Sequence, residues 1–180
     1  MKIIDLLPSE QTQIDKIAAF TYECFKRYSP SWLPDIASAK REVLESFEPQ
    51  RRSRVLVNSE GHVLGWIGVI VFSNIWEIHP IAVDAQYQGA GYGRLLVNDI
   101  VSLAHNAGVV AVWAGTADET RETGFSRLDL PLDSPIDYST LEVPAGHPVN
   151  FWRHMGFSLV AVTPDEGPDV VGIHFATCMG

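Results

Sequence analysis

The chain has 180 residues, 46% hydrophobic and 19% charged, with a formal net charge of −9. That length fits one domain over residues 1–180, large enough to bury a real core. The acidic balance argues against nucleic acid, which calls for a basic footprint, and suits a cationic substrate drawn in by the protein's field. No apolar run reaches the roughly 18 residues of a membrane span. Met1-Lys2-Ile3-Ile4-Asp5 lacks the basic-then-apolar order of a signal peptide, so a cytoplasmic protein is expected. Cys24 and Cys178 are far apart, and two buried thiols in a reducing compartment is the simpler reading, with a disulfide left open.

In chain order, residues 2–7 read as a short strand. Pro8-Ser9 opens a helix to about Phe25, with Ile14, Ile17, Ala18, Thr21 and Cys24-Phe25 along one face. Pro30 and Pro34 bound a loop holding Trp32, and Asp35 caps a second helix that ends near Phe47-Glu48-Pro49. Arg54 to Val57, the Asn58-Ser59-Glu60-Gly61 turn and His62 to Phe72 form a hairpin. Trp76 to Val83 is the next strand, followed by a Gly-rich turn and a helix from about Gly91 to Asn106. Leu96, Ile100, Leu103 and Ala107 define that helix's buried face, and Gly108 stops it. Val109 to Ala114 is apolar throughout, as a central strand is. A short helix over Pro148 to Met155 and two strands, Phe157 to Val162 and Val170 to Thr177, close the chain. The order βααββ, β-α-β, α-β-β predicts an α+β fold with a central mixed, mostly antiparallel sheet flanked by helices.

Gln88-Gly89-Ala90-Gly91-Tyr92-Gly93 places three glycines in five residues at a strand-to-helix junction, with Arg94 in the first helical turn. Glycines let backbone N–H groups close on a pyrophosphate, and a helix N-terminus adds favourable partial charge. A Rossmann turn requires an acidic residue at the end of the following strand, and that strand ends at Ala114-Gly115, which disfavours it. Glu77 and His79, two apart on a strand, share a face about 7 Å apart. Residues 116–146 hold seven acids, Asp118, Glu119, Glu122, Asp129, Asp133, Asp137 and Glu142, against Arg121 and Arg127. Most of these are expected to be solvated. The lone His62, His105, His154 and His174 lack ligand spacing, so no metal is expected.

The Gly-rich turn resembles the Q/R-x-x-G-x-G/A signature of the GNAT (GCN5-related) N-acetyltransferases, and the resemblance covers nearly the whole chain. It sharpens toward the aminoglycoside 6'-N-acetyltransferases in four segments. These are Trp76-Glu77-Ile78-His79-Pro80, Gly115-Thr116-Ala117-Asp118, His147-Pro148-Val149-Asn150-Phe151-Trp152 running on to Gly156-Phe157, and Pro168-Asp169-Val170-Val171.

The resemblance implies a GNAT-like domain and acetyl transfer from acetyl-CoA to a primary amine of a polycationic acceptor, in a ternary complex. It implies coenzyme binding by Gln88, Gly89, Ala90, Gly91, Tyr92, Gly93 and Arg94, with the backbone near Ile81, Ala82 and Val83 polarising the thioester where the strand splays from its neighbour. Glu77 is expected to bind the acceptor's ammonium and, with ordered water, to take its proton, while His79 orients that water or contacts the acceptor. Trp32, Trp76, Asp118, Glu142 and Asp169 are expected beside the acceptor, though Trp32 has an equal reading as core. His147 and Asn150 have two readings, coenzyme contact or helix capping. Trp152 stands where the family often has a tyrosine acid, which leaves three readings: Tyr138 protonates the thiolate, water does, or the coenzyme A thiolate leaves without an acid. The resemblance also carries a homodimer, and the alternation of Leu128, Leu130 and Leu132 in the sequence offers a short strand to pair across it. Other amines, and a catalytically silent acyl-CoA sensor, are the rival readings.

Overall fold

The computed structural model describes residues 1–128, 137–164 and 170–179. Seven strands form one sheet, in the order β1-β2-β3-β4-β5-β7-β6. Their ranges are β1 Lys2–Asp5, β2 Arg51–Val57, β3 Val63–Val71, β4 Ile75–Val83, β5 Ala111–Ala117, β6 Ser158–Pro164 and β7 Val171–Cys178. Every pairing is antiparallel except that of β4 with β5. The helices are α1 Gln11–Phe25, α2 Ile36–Glu45, α3 Tyr92–Asn106 and α4 Pro148–His154. The expected α+β class, mixed sheet and element order all hold. The sequence pattern misses three short 3-10 turns, at Ala85–Tyr87, Gly124–Arg127 and Tyr138–Thr140. Leu130, Leu132 and the expected pairing strand's tip lie outside the described residues.

Each face of the sheet has its own core. On one, Ile14, Ile17 and Phe20 of α1 and Val43 of α2 pack on Val55, Val57, Val63, Trp66 and Ala82. On the other, Leu96, Val97, Ile100 and Ala104 of α3 and Val149 and Trp152 of α4 pack on Ile67, Val69, Trp76, Ile78, Val112 and Phe175. Burying such side chains gains roughly 1.5–3 kcal/mol each before entropy is counted, so the two layers fix which face each strand residue takes. Local signals place the helices. Asp35 Oδ1 accepts the Ser38 N–H at 2.7 Å and caps α2 as expected. Two apolar assignments shift. Ala104, not Ala107, is the buried alanine of α3. Cys24 is half-buried and Cys178 exposed, and both are free thiols, so neither is the fully buried thiol expected.

Strand β4 carries an irregularity that alternation alone does not predict. Ile67 pairs with Ile81 and Val69 with Ile78, so β4 spends three residues where β3 spends two. The extra residue lies at His79-Pro80, opposite Gly68, and the His79–Pro80 peptide is cis. A β-bulge reverses the facing of everything beyond it. Trp76 and Ile78 therefore join the α3 core, while Ala82 joins the α1 core and Ile81 and Val83 pack toward α3. Gly68 is required here because a Cβ would overlap the His79 carbonyl oxygen. The pairing of β4 with β5 covers only Ile75–Ile78 against Ala111–Ala114. Pro80 has no N–H to continue a ladder, and beyond it the two strands no longer pair with each other, β4 keeping only β3 and β5 only β7. The splay implied by the resemblance is thus present.

Candidate active site

A cleft of about 1490 Å³ opens along this splay, between the α1–α2 connection, the N-terminus of α3, the end of β5 and α4. Glu77 and His79 both line it, and Ile78 turns into the core, as two-residue alternation before the bulge requires. Trp32, Ile81, Ala82, Val83, Gln88, Gly89, Gly91, Tyr92, Gly93 and Arg94 line it too. The structure therefore gathers most of the sequence-predicted residues on one cavity.

The turn into α3 has the geometry an anion cradle needs. Gly89 and Gly91 have φ of 78° and 84°, a left-handed conformation that side-chain-bearing residues adopt at a cost. Added Cβ atoms there would meet nothing within 4 Å, so the glycines serve the backbone shape and leave the concavity open. No side chain caps the α3 N-terminus at Gly91, leaving its first N–H groups to an incoming acceptor. Gly93 has a different role: its Cβ would press on the Phe151 ring at 3.1 Å, so it permits α3 and α4 to approach closely. Arg94 donates to the His154 carbonyl at 3.1 Å and lies on the cleft wall. The side chain of Gln88 turns back to donate to the Val83 carbonyl at 2.9 Å, which also accepts from Cys24 Sγ at 3.3 Å. Cys24 reaches the cleft in this way, and burial pushes its thiol pKa up.

Around Glu77 and His79 the charges are arranged across elements. Arg51, Ile70 and Glu77 are successive cross-strand partners on β2, β3 and β4. Burial raises the Glu77 pKa, and Arg51 opposes that rise. His79 is pressed from one side by the Trp32 ring, 5.1 Å between centroids, and its Nε2 faces Glu42 Oε1 at 3.5 Å. Burial, then Arg51, pushes His79 down to about 4, so its ring is neutral at pH 7. Glu42, on α2, was not singled out from the sequence. A signal existed: Ala39, Glu42, Val43 and Ser46 fall at i, i+3, i+4, i+7, which puts Glu42 on the buried stripe.

Several expected residues sit elsewhere. Asp118 is fully buried and cannot reach an acceptor. Its carboxylate accepts from the Glu122 and Thr123 N–H groups at 3.1 and 3.0 Å and from the Thr123 and Ser126 hydroxyls at 2.5 Å each. His147 Nε2 faces it at 3.6 Å. Burial works to raise the Asp118 pKa, but the hydrogen bonds outweigh it and hold the group well below the usual carboxylate range. The neighbouring Glu119 is the acid that lines the cleft, and it accepts from Ser31 N–H at 2.9 Å. The adjacent carboxyls of Asp118 and Glu119 look alike in the sequence, apart from the hydroxyl residues that follow them at short spacing.

Trp76 is 3% exposed, in the α3 core, with the Arg52 guanidinium 4.8 Å from its ring, and so has no acceptor-facing surface. Glu142 stands 3.8 Å from Arg127, away from the cleft. Asn150 donates to the Pro144 carbonyl at 2.8 Å, and His147 Nδ1 accepts the Val149 N–H at 3.3 Å, so capping and packing occupy both. Ala90 is exposed, outside the lining. Tyr138 stacks on Phe125 and does not line the cleft; Tyr28, Tyr87 and Tyr92 do. Asp169 lies outside the described residues.

Residues 16–126 match the model of the Acetyltransferase (GNAT) family. The chain belongs to that family. A comparison with curated protein sequences found no match. Among solved structures, this GNAT protein is similar to an aminoglycoside 6'-N-acetyltransferase complexed with coenzyme A, at 24% identity and a TM-score of 0.85, over 99% of this chain and 97% of that one. An aminoglycoside 6'-N-acetyltransferase from Enterococcus faecium matches at 23% identity and 0.81 over the same shares. A type Ii aminoglycoside 6'-acetyltransferase matches at 22% and 0.70, again over 99% and 97%. At these identities the likeness is one of fold. Among the described residues no helix is long and apolar enough to cross a membrane, and no group of three or more His, Cys, Asp or Glu is arranged to hold a metal ion.

Proposed function

We propose that this GNAT protein is an acetyl-CoA-dependent N-acetyltransferase whose acceptor is the 6'-amine of an aminoglycoside. The observation that carries the reading is convergence: the glycine cradle before α3, the stretch of β4 that has parted from β5 and the Glu77–His79 pair all open on one cleft. Acetyl-CoA supplies an acetyl group activated as a thioester. Gly89, Gly91 and the first N–H groups of α3 suit its pyrophosphate, and Arg94 adds positive charge beside it. The backbone of Ile81 to Val83, freed from β5, suits the pantetheine arm and offers N–H groups to the thioester carbonyl.

An aliphatic amine is mostly protonated at neutral pH, so a base must take its proton. Glu77 attracts the ammonium by charge and accepts the proton through an ordered water held by the neutral ring of His79. Its raised pKa brings it closer to the working pH of a general base. Trp32 walls the acceptor side, and Glu119 gives a second carboxylate for a polycation. Attack is direct, within a ternary complex. The names of the similar structures and the four motif segments favour an aminoglycoside among amines. A homodimer belongs to the same proposal. The edge position of β6, with Val160 58% exposed, supports it, and sedimentation equilibrium tests it.

Thiol release from acetyl-CoA, measured with kanamycin, spermidine and a lysine peptide as acceptors, tests the reading. Turnover with kanamycin is expected. Turnover confined to spermidine or to the peptide overturns the antibiotic acceptor and keeps the chemistry. Tight acetyl-CoA binding without turnover of any amine overturns catalysis and leaves an acyl-CoA sensor.

A further inference from the structure

Glu42 is a buried acid, 8% exposed, with little to compensate it. Its only hydrogen bond among the described residues is from Arg51 Nη1, at the long limit of 3.5 Å, and Arg51 also faces Glu45 at 3.8 Å. Buried carboxylates normally collect several donors, because desolvating the charge without them is unfavourable. A helix that needed only to pack would carry an apolar residue at this position of its buried stripe. Instead Glu42 directs its oxygen at the imidazole of His79, which lines the cleft beside Glu77 and whose other flank is held by Trp32. It also shares Arg51 with the active side of the sheet, where Arg51 lies two strands across from Glu77.

We propose that Glu42 is a positioning residue of the acetyl-transfer centre: its carboxylate, delivered by α2, fixes the His79 ring by its Nε2 side and balances the Arg51 charge beside Glu77. This rests on the acetyltransferase reading above. In the proposed arrangement the Nε2 proton points at Glu42, 3.5 Å away, and Nδ1 keeps the only lone pair of the ring. His79 then acts as a hydrogen-bond acceptor of one fixed orientation, suited to hold the relay water. Glu42 does not line the cleft and acts through His79 and Arg51. The groups that face the Glu42–His79 pair are Arg51 from β2, Glu45 and Glu48 from α2 and the turn after it, and Glu77 from β4. Burial, Glu45 and Glu48 raise Glu42 to about 7 against the pull of Arg51, so the pair changes charge near neutrality.

Two measurements on the full chain test this. The first is the pH profile of kcat/KM for Glu42→Gln and for Glu42→Asp, with Glu60→Gln, an exposed acid of the β2–β3 turn, as control. In Glu42→Gln, kcat/KM above pH 8 is expected to fall by about tenfold and the ascending limb to move by at least about half a pH unit. Glu42→Asp is expected to recover part of the rate, and Glu60→Gln to leave both unchanged. An unmoved limb in Glu42→Gln, or the same change in Glu60→Gln, overturns the proposal.

The second measurement needs no turnover. NMR titration of the His79 imidazole in the wild-type protein is expected to show an inflection near pH 7 from Glu42 ionisation, lost in Glu42→Gln while the circular dichroism of the variant stays native. The same inflection in both proteins overturns the proposal. If no amine is acetylated by the wild type, the acetyltransferase reading fails by itself, and the titration still decides whether Glu42 and His79 are coupled.

Discussion

Two buried acids, Asp118 and Glu42, have opposite protonation behaviour, and the difference lies in their donors. Asp118 sits at the end of β5 among two backbone N–H groups and two short hydroxyl contacts, and it stays ionised far into acid. Glu42 sits under β4 with one long bond from Arg51, and its proton is held up to about 7. Burial penalises the charge in both. Hydrogen bonding to the charged form decides the sign. The satisfied acid ties the loop after β5 into the body of the protein. The poorly satisfied one lies against the cleft, which is where perturbed titration concentrates in enzymes.

The largest expected effect of breaking this contrast is at Asp118. Asp118→Ala strands several buried donors and should cost about 3–5 kcal/mol of stability, read from urea midpoints. Because the folded pKa of Asp118 is depressed, its contribution is present above the unfolded pKa and is lost as pH falls, so the gap between variant and wild type should narrow in acid. An equal gap at pH 3 and pH 7 would contradict that account.

Glu42 has the opposite sign. Its folded pKa is raised, so the stability it allows is present below pH 4.5 and is lost as pH rises through about 7. At about 1.4 kcal/mol per pH unit, Glu42→Gln should gain on the order of 2–3 kcal/mol relative to wild type between pH 4.5 and pH 8. Thermal unfolding at the two pH values measures it, and a loss of relative stability over that span would sink the assignment.

Glu77→Gln comes next, with kcat/KM lowered by at least about tenfold, or roughly 1.4 kcal/mol, and little change in Tm. An unchanged rate would remove its role as base. The smallest effect is expected from Ser126→Ala, which removes one of the Asp118 donors and should cost about 1 kcal/mol while raising the Asp118 pKa. Carbon-detected NMR of the carboxylate follows that shift, and a fixed pKa would mean that the remaining donors suffice.

The elements were legible because their signals are local. Asp35 caps α2, Gly108 ends the α3 pattern, and the glycines before Tyr92 are spaced for a turn. The cleft residues from Glu77 to Arg94 were legible for the same reason, since one strand, one turn and one helix start carry them all. Contacts between distant elements were not. The pairing of Glu42 with His79 depends on how α2 packs on the sheet, and the bulge at His79-Pro80 depends on Gly68 one strand away. Asp118 was misplaced because its neighbours in sequence do not say whether it or Glu119 turns outward. The hydroxyls at Thr120, Thr123 and Ser126 were the available hint, since such residues at short spacing often fold back on a carboxylate.

The four residue pairs that join β4 to β5 also have a mechanical meaning. Among the described residues they are the only ladder linking strands β1 to β4 with strands β5 to β7. Past Ile78 the sheet has an internal seam, and the two halves are held together by α3 and by that short ladder. An extended ligand lying in the seam would act as a missing rung, bonded to both banks. Its binding energy would then appear as heat resistance of the whole chain, in proportion to the logarithm of its concentration over Kd.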